Sequence, residues 1–418
     1  PRKRARARDR MIDNRNIVCI ASSWFDHPTS KHHVMRILAE RNRVIWVNYH
    51  ASRRPNLSIR DFRLALRRLR RSCAGPRRVP AGLTVLSPLL APFPQSRLAR
   101  AYNTRVMVRQ IGKALAALPA ARRQLWLFAP DTPELIRHFD FERVVYYCVD
   151  DFAEFSGYDP SAVQRLEAAT LAVSDVVIAT STQLFEGRRA VHSNTHLVPH
   201  GVDFEHFAPA AEPGRFEIPP EMRHMPRPVL GYVGLISDYV DLELLAQAAR
   251  ARPAWSFVLV GNVNCALGAL SGLPNVHLLG GRPYEDLPRY FAAFDVGLIP
   301  FRMNRLVRAV NPIKLREYLA AGLPVVSAPL EAVLGYAPAV YPAQNLEQFL
   351  AACDMALREN HPAARRARQS AGPAIAAMPA TRSLRSSGSR HATVADRYSD
   401  RRPHGSQSGS CAGGVPAR

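Results

Sequence analysis

The chain has 418 residues, of which 47% are hydrophobic and 22% charged; these are globular values, and the length suffices for two domains that each bury a core. No apolar run approaches the ~18 residues of a spanning helix, and the six cysteines are scattered with no Cys-x-x-Cys pair, which argues against metal or disulfide frameworks and for a reducing cytoplasm. A net charge of +22 calls for an anionic partner or for basic ends that lie outside the fold.

In chain order, residues 1–10 are basic and are not followed by the apolar core of a signal peptide, so they read as an extension ahead of Met11. Residues 17–21 read as a strand, 22–30 as a loop, 31–41 as a helix and 44–47 as a second strand. Thr29-Ser30-Lys31-His32-His33 opens that helix, either capping it or facing a cleft. Residues 60–71 place Phe62, Leu66 and Leu69 at helical spacing with arginines on the other face, which fits either a solvated helix or an interfacial helix drawn to anionic lipid. No aromatic-interleaved basic motif accompanies the charge, so nucleic acid is not expected. Strands follow at 125–128, 144–149 and 176–179; their apolar character is continuous rather than alternating, as in strands buried on both faces. Asp150 and Asp151 stand at the carboxyl end of the strand at 144–149, where a carboxylate can take a proton from an attacking hydroxyl or simply cap a helix.

His200-Gly201-Val202-Asp203 forms a turn with His200 lining the cleft, and a Pro-rich stretch runs from 208 to 228. A second βα series begins at 229–234 and continues with strands at 256–261, 275–280, 295–300 and 324–327. Gly234, after its first strand, allows a phosphate to approach the backbone. From 359 to 418 the chain is rich in Arg, Ser, Ala, Gly and Pro without a hydrophobic period, and it reads as disordered or out of frame. Two Rossmann-like domains facing each other across a cleft is the architecture expected, with an α/β fold throughout.

The most informative string is Asn311-Pro312-Ile313-Lys314-Leu315-Arg316-Glu317-Tyr318, followed by Gly322 and Pro324-Val325-Val326. Pro312 suits a first helical turn, Gly322 a left-handed cap, and Pro324 a stop. Lys314 and Glu317 are three apart and share a face, so a phosphate can be held by lysine and helix N-terminus while the glutamate accepts from sugar hydroxyls.

This string resembles the donor signature of GT-B glycosyltransferases of the family-4 type, in a bacterial polysaccharide subgroup, and the resemblance covers residues 16–357. It implies an acceptor domain over 11–205, a linker over 206–228 and a nucleotide-sugar domain over 229–358. Glu317 would hold ribose hydroxyls. The second family glutamate falls at Ala309, with Lys314 and Asn311 partly replacing it. The usual diphosphate Arg and Lys are absent after Gly234, which leaves the anion to Lys314 and Arg308. Arg282 would stack on the base, Asn304 lies in the loop near the donor sugar, and Asp150 is the motif aspartate and candidate base. Lys31, His32, Asp151 and His200 fall on the acceptor side. The implied activity is sugar transfer from a nucleoside-diphosphate donor to a saccharide, lipid-linked acceptor in exopolysaccharide, capsule or lipopolysaccharide synthesis. It would run without cofactor or metal, in the cytoplasm or peripherally at the inner membrane, with stereochemistry open. The alternatives are a GT-B-fold sugar-nucleotide epimerase and an inactivated nucleotide-sugar-binding protein.

Overall fold

A computed structural model describes residues 12–50, 69–70, 72, 75–79, 82–93 and 96–371. The basic segments 1–10 and most of 60–71 lie outside the described residues, as does the chain from 372 onward.

The first domain carries strands β1 (Asn16–Ala21), β2 (Arg43–Asn48), β3 (Arg77–Val79), β4 (Leu83–Leu86), β5 (Arg123–Leu127), β6 (Arg143–Cys148), β7 (Val176–Ala179) and β8 (Thr195–Leu197). They form one sheet in the order β3-β4-β2-β1-β5-β6-β7-β8, parallel except for the β3–β4 pair. Its principal helices are α1 (Ser30–Ala39), α2 (Arg97–Ala116), α3 (Pro160–Val173) and α4 (Thr182–Arg189). Alternate residues of β1 feed opposite cores: Val18 and Ile20 pack with Ile45, Leu125 and Leu127, while Ile17 and Cys19 pack with Val44, Trp46 and Trp126. Helices cover both faces, so the central strand positions on either face carry apolar side chains, with polar residues mostly at the strand ends.

The second domain has β9 (Val229–Val233), β10 (Ser256–Val260), β11 (Val276–Gly280), β12 (Val296–Ile299), β13 (Val325–Ser327) and β14 (Val340–Pro342), all parallel, in the order β11-β10-β9-β12-β13-β14. Its principal helices are α5 (Leu242–Ala251), α6 (Arg305–Arg308), α7 (Ile313–Ala320), α8 (Leu346–Arg358) and α9 (Pro362–Ala371).

The expected tail from 372 onward lies outside the described residues, but helix α9 corrects the expectation of disorder for residues 362–371. Its Arg365 donates to the carbonyl of Phe294, Arg368 to that of Glu359, and Gln369 to those of Ala208 and Ala320. Gly322 lies directly beneath it: a Cβ there would stand 2.9 Å from the Arg365 carbonyl oxygen. Among the described residues, no helix is long and apolar enough to cross a membrane.

Candidate active site

Among the parallel strands of each sheet the order reverses once, between β1 and β5 and between β9 and β12. Such switch points open a crevice at the carboxyl ends of the strands. Helix α7 is anchored over the second one. The backbone N–H of Val233 donates to the Tyr318 hydroxyl at 2.9 Å, and the Tyr318 ring fills the space over Gly297, where a Cβ would come within 2.7 Å of Cγ. Fixing Tyr318 fixes Lys314 one turn earlier on the same face. The Lys314 ammonium lies 5.6 Å from the Tyr232 ring centre and 5.8 Å from that of Phe301, residues of β9 and of the segment after β12. Its stem crosses Gly234, whose φ is +145°; a Cβ at that glycine would stand 2.1 Å from Lys314 Cε. Gly261, at φ +157°, packs on the Gly234 carbonyl just as closely, with only 1.8 Å for a Cβ. Two glycines therefore make the floor on which the lysine lies.

Glu317 is only 7% exposed, and burial pushes its pKa up to about 7, with the Lys314 charge opposing. Asp150 follows β6 in the other domain; burial pushes it up to about 6, Lys31 and Lys314 pull it down, and Asp151 adds to the rise. Both lysines are pulled below the ordinary range by burial, Lys31 against the fields of Asp150, Asp26 and Cys19, and Lys314 against those of Glu317 and Asp150. Lys31, Asp150, Lys314 and Glu317 thus form an array of alternating charge shared between the domains. Chemically, this array offers two cations for a diphosphate, a carboxylate that loses its proton near neutral pH, and a protected acceptor for hydroxyls. His200 belongs to its edge: burial, with Arg316 and Lys31 nearby, pulls its pKa down to about 3, so the imidazole is neutral.

Several residues expected at the site make contacts with other parts of the chain. The Arg282 guanidinium donates to Glu221 Oε1 at 2.9 Å and to the Tyr290 hydroxyl at 2.7 Å. Asn304 caps α6, accepting from the Val307 N–H at 2.8 Å. Asn311 ties the domains together, donating to the Thr180 carbonyl at 2.6 Å and accepting from Arg316 Nη1 at 2.6 Å. His32 is buried under α1, accepting from the Thr29 N–H at 3.0 Å and stacking on Trp46. Asp151 lies 3.7 Å from Arg188, which also binds Glu167 at 2.9 Å. Arg308 lines a separate cavity with Arg316.

The sequence reading missed Tyr318 as the anchor of α7, and also Tyr284, whose ring stacks on His206 at 4.4 Å and meets His33 of the first domain at 5.6 Å. It also gave no sign that Ser156 Oγ would donate to Asp238 Oδ2 across the cleft at 2.6 Å. Ala309, the position of the absent second glutamate, is buried in the apolar core of the first domain.

Residues 227–359 match the family model described as glycosyl transferases group 1. The Bacillus subtilis protein TuaH, whose name assigns it to teichuronic acid biosynthesis as a glycosyltransferase, is 28% identical over 260 residues, 56% of this chain and 64% of that protein; the match therefore spans less than two thirds of the relative. Sucrose-phosphate synthase from Thermosynechococcus elongatus superposes with a TM-score of 0.61 at 17% identity, covering 88% of this chain and 95% of the other. HepE from Anabaena, in complex with UDP, superposes with a TM-score of 0.53 at 14% identity, over 87% and 94% of the two chains. At such identities the superpositions show the fold, two facing α/β domains of the GT-B kind, and the family match is confined to residues 227–359, the second domain.

Proposed function

We propose that the chain transfers a sugar from a nucleoside-diphosphate donor to a saccharide acceptor in bacterial surface-polysaccharide synthesis. The observation that carries this is the array of Lys31, Asp150, Lys314 and Glu317 beyond the carboxyl ends of the strands of the two sheets. In this reading Lys314 and Lys31 hold the diphosphate, Glu317 accepts from the ribose, and Asp150 deprotonates the acceptor hydroxyl as the bond to the nucleotide breaks. Glu317 is buried and Lys31, Asp150 and Lys314 are half-buried, so their charges act in a partly desolvated crevice. UDP is the first donor nucleotide to test, given its presence in the HepE complex, and the TuaH name motivates the polysaccharide setting.

The acceptor is read as lipid-linked, with the enzyme working at an anionic membrane face. Segment 60–71 lies outside the described residues, but α2 supports the same reading. Leu98 is 85% exposed and Tyr102 48%, next to exposed Phe93. Arg105, Arg109 and Lys113 continue that face as an exposed basic stripe, and the helix holds no acidic residue.

Calorimetric titration with UDP, GDP and their sugars tests the donor site. Binding by the wild type that Glu317→Ala and Lys314→Ala each weaken by about tenfold or more is the expected result. A folded protein that binds none of these ligands refutes the assignment, and donor turnover without any transferred product would favour a sugar-nucleotide epimerase.

A further inference from the structure

A second cavity, of about 190 Å³, lies between the domains. Thr180, Gln183 and Pro199 wall it on one side, and Arg308, Arg316 and Tyr336 on the other. It is distinct from the crevice that holds Lys314. Arg316 and Lys314 are two positions apart on α7, so they project roughly 200° apart around its axis, and neither Lys314 nor Glu317 lines the cavity.

Arg316 is only 6% exposed. Its Nη1 donates to the Asn311 amide oxygen, and its Cζ lies 5.7 Å from the Tyr336 ring centre. Both partners are uncharged. Among the described residues, no carboxylate lies within 4.0 Å of Arg316 or of the exposed Arg308. Glu331 stands on the wall but pairs with neither. Burying a guanidinium among neutral groups is unfavourable unless a further acceptor completes its hydrogen bonding. The guanidinium fork matches the two oxygens of a carboxylate or phosphate. The first turn of α4 opens at the same wall, with Thr182 and Gln183, and adds a favourable dipole.

We propose that this cavity is an oxyanion subsite that takes the acidic group of the acceptor, the carboxylate of an acidic sugar or a phosphate ester. The word acceptor rests on the glycosyl-transfer reading above; the anion site itself stands apart from it. Because the walls come from both domains, an anion held there bridges them next to the Asn311–Thr180 link.

The test is calorimetric titration of the full chain, with UDP present at saturation, using glucuronate, inorganic phosphate and glucose as probes. Glucuronate or phosphate should bind while glucose does not, and the tighter of the two identifies the carboxylate or the phosphate source. Arg308→Gln and Arg316→Lys should each weaken that binding by about tenfold, the value of one charge-assisted contact, and Glu331→Gln should tighten it. Should Arg316→Lys fail to fold, the exposed Arg308→Gln decides alone. Anion binding that is equal in all variants, that is absent, or that UDP displaces overturns the proposal. UDP binding without anion binding sinks the cavity alone, whereas anion binding without UDP binding sinks the donor assignment alone.

Discussion

Replacing Gly234 by alanine separates two consequences of one methyl group. At φ +145° a Cβ strains the backbone, at a cost of about 1–3 kcal/mol in stability. The same Cβ falls 2.1 Å from Lys314 Cε and 2.7 Å from Nζ, so the far end of the lysine has to move. That end is flexible, and displacing it costs the fold little; the consequence falls on the ammonium's position over Tyr232 and Phe301. Losing one charge-assisted contact to a diphosphate forfeits about 1.5–3 kcal/mol, which is a 10- to 150-fold weaker nucleotide complex. Calorimetry with UDP measures the affinity, and urea unfolding measures the stability. A double-mutant cycle then isolates the cause. Lys314→Ala alone should weaken UDP by the same factor, and adding Gly234→Ala to it should change affinity hardly at all while still lowering stability. If the two affinity losses add, Gly234 does not act through Lys314, and the floor-and-lysine account is wrong.

Asp150→Asn should slow transfer by about 10²- to 10⁴-fold while leaving UDP affinity within about twofold, and the wild-type rate should rise with pH through about 6, a limb absent from the variant. Glu317 holds its proton up to about pH 7 in the folded chain against an ordinary 4.5, so between those values the folded state binds more protons than the unfolded one. Stability should therefore fall as pH rises through that window, by on the order of 3 kcal/mol, and unfolding curves of Glu317→Gln should show a shallower decline; an unchanged slope would mean the carboxyl is not buried as described. Asn304→Ala should lower stability by about 1 kcal/mol through loss of its cap on α6, with UDP affinity intact; a large loss of affinity would return Asn304 to the donor site. Leu98→Glu combined with Arg105→Glu should abolish co-sedimentation with phosphatidylglycerol vesicles, and retention at wild-type levels would rule out α2 as the contact.

The strands that could be read directly are those with helices on both faces. In β1, Ile17 and Val18 point into different cores, so the whole run had to be apolar. Strand β8 has no such run, because His196 and Leu197 are exposed at the sheet edge, and β3 carries two arginines on the opposite edge. Strand β4 is interrupted by Thr84 and β14 ends in the exposed Pro342, so neither forms a continuous apolar run. Helix α9 escaped for a different reason. It is held through Arg365, Arg368 and Gln369 bonding to carbonyls of other segments, and apart from Pro362 its only apolar side chains are alanines, so its amphipathic pattern carries no large hydrophobic residue to mark it.

Within the site, legibility followed the range of the interaction. Lys314 and Glu317 could be paired because helical geometry puts positions three apart on one face. The cap formed by Asn304 is equally local, three residues before Val307, and was there to be read. Asn311 and Arg282 were not, since their partners Thr180 and Glu221 are 131 and 61 residues away and nothing near either residue announces them. Ala309 has the same kind of explanation. Viewed along the chain it is a family glutamate gone missing; in the fold it is part of an apolar contact with the first domain. A carboxylate there would be desolvated among Leu and Ala side chains. The same close approach of the domains brings Asp150 within the fields of both Lys31 and Lys314, so the charge facing Lys314 comes in part from the opposite sheet.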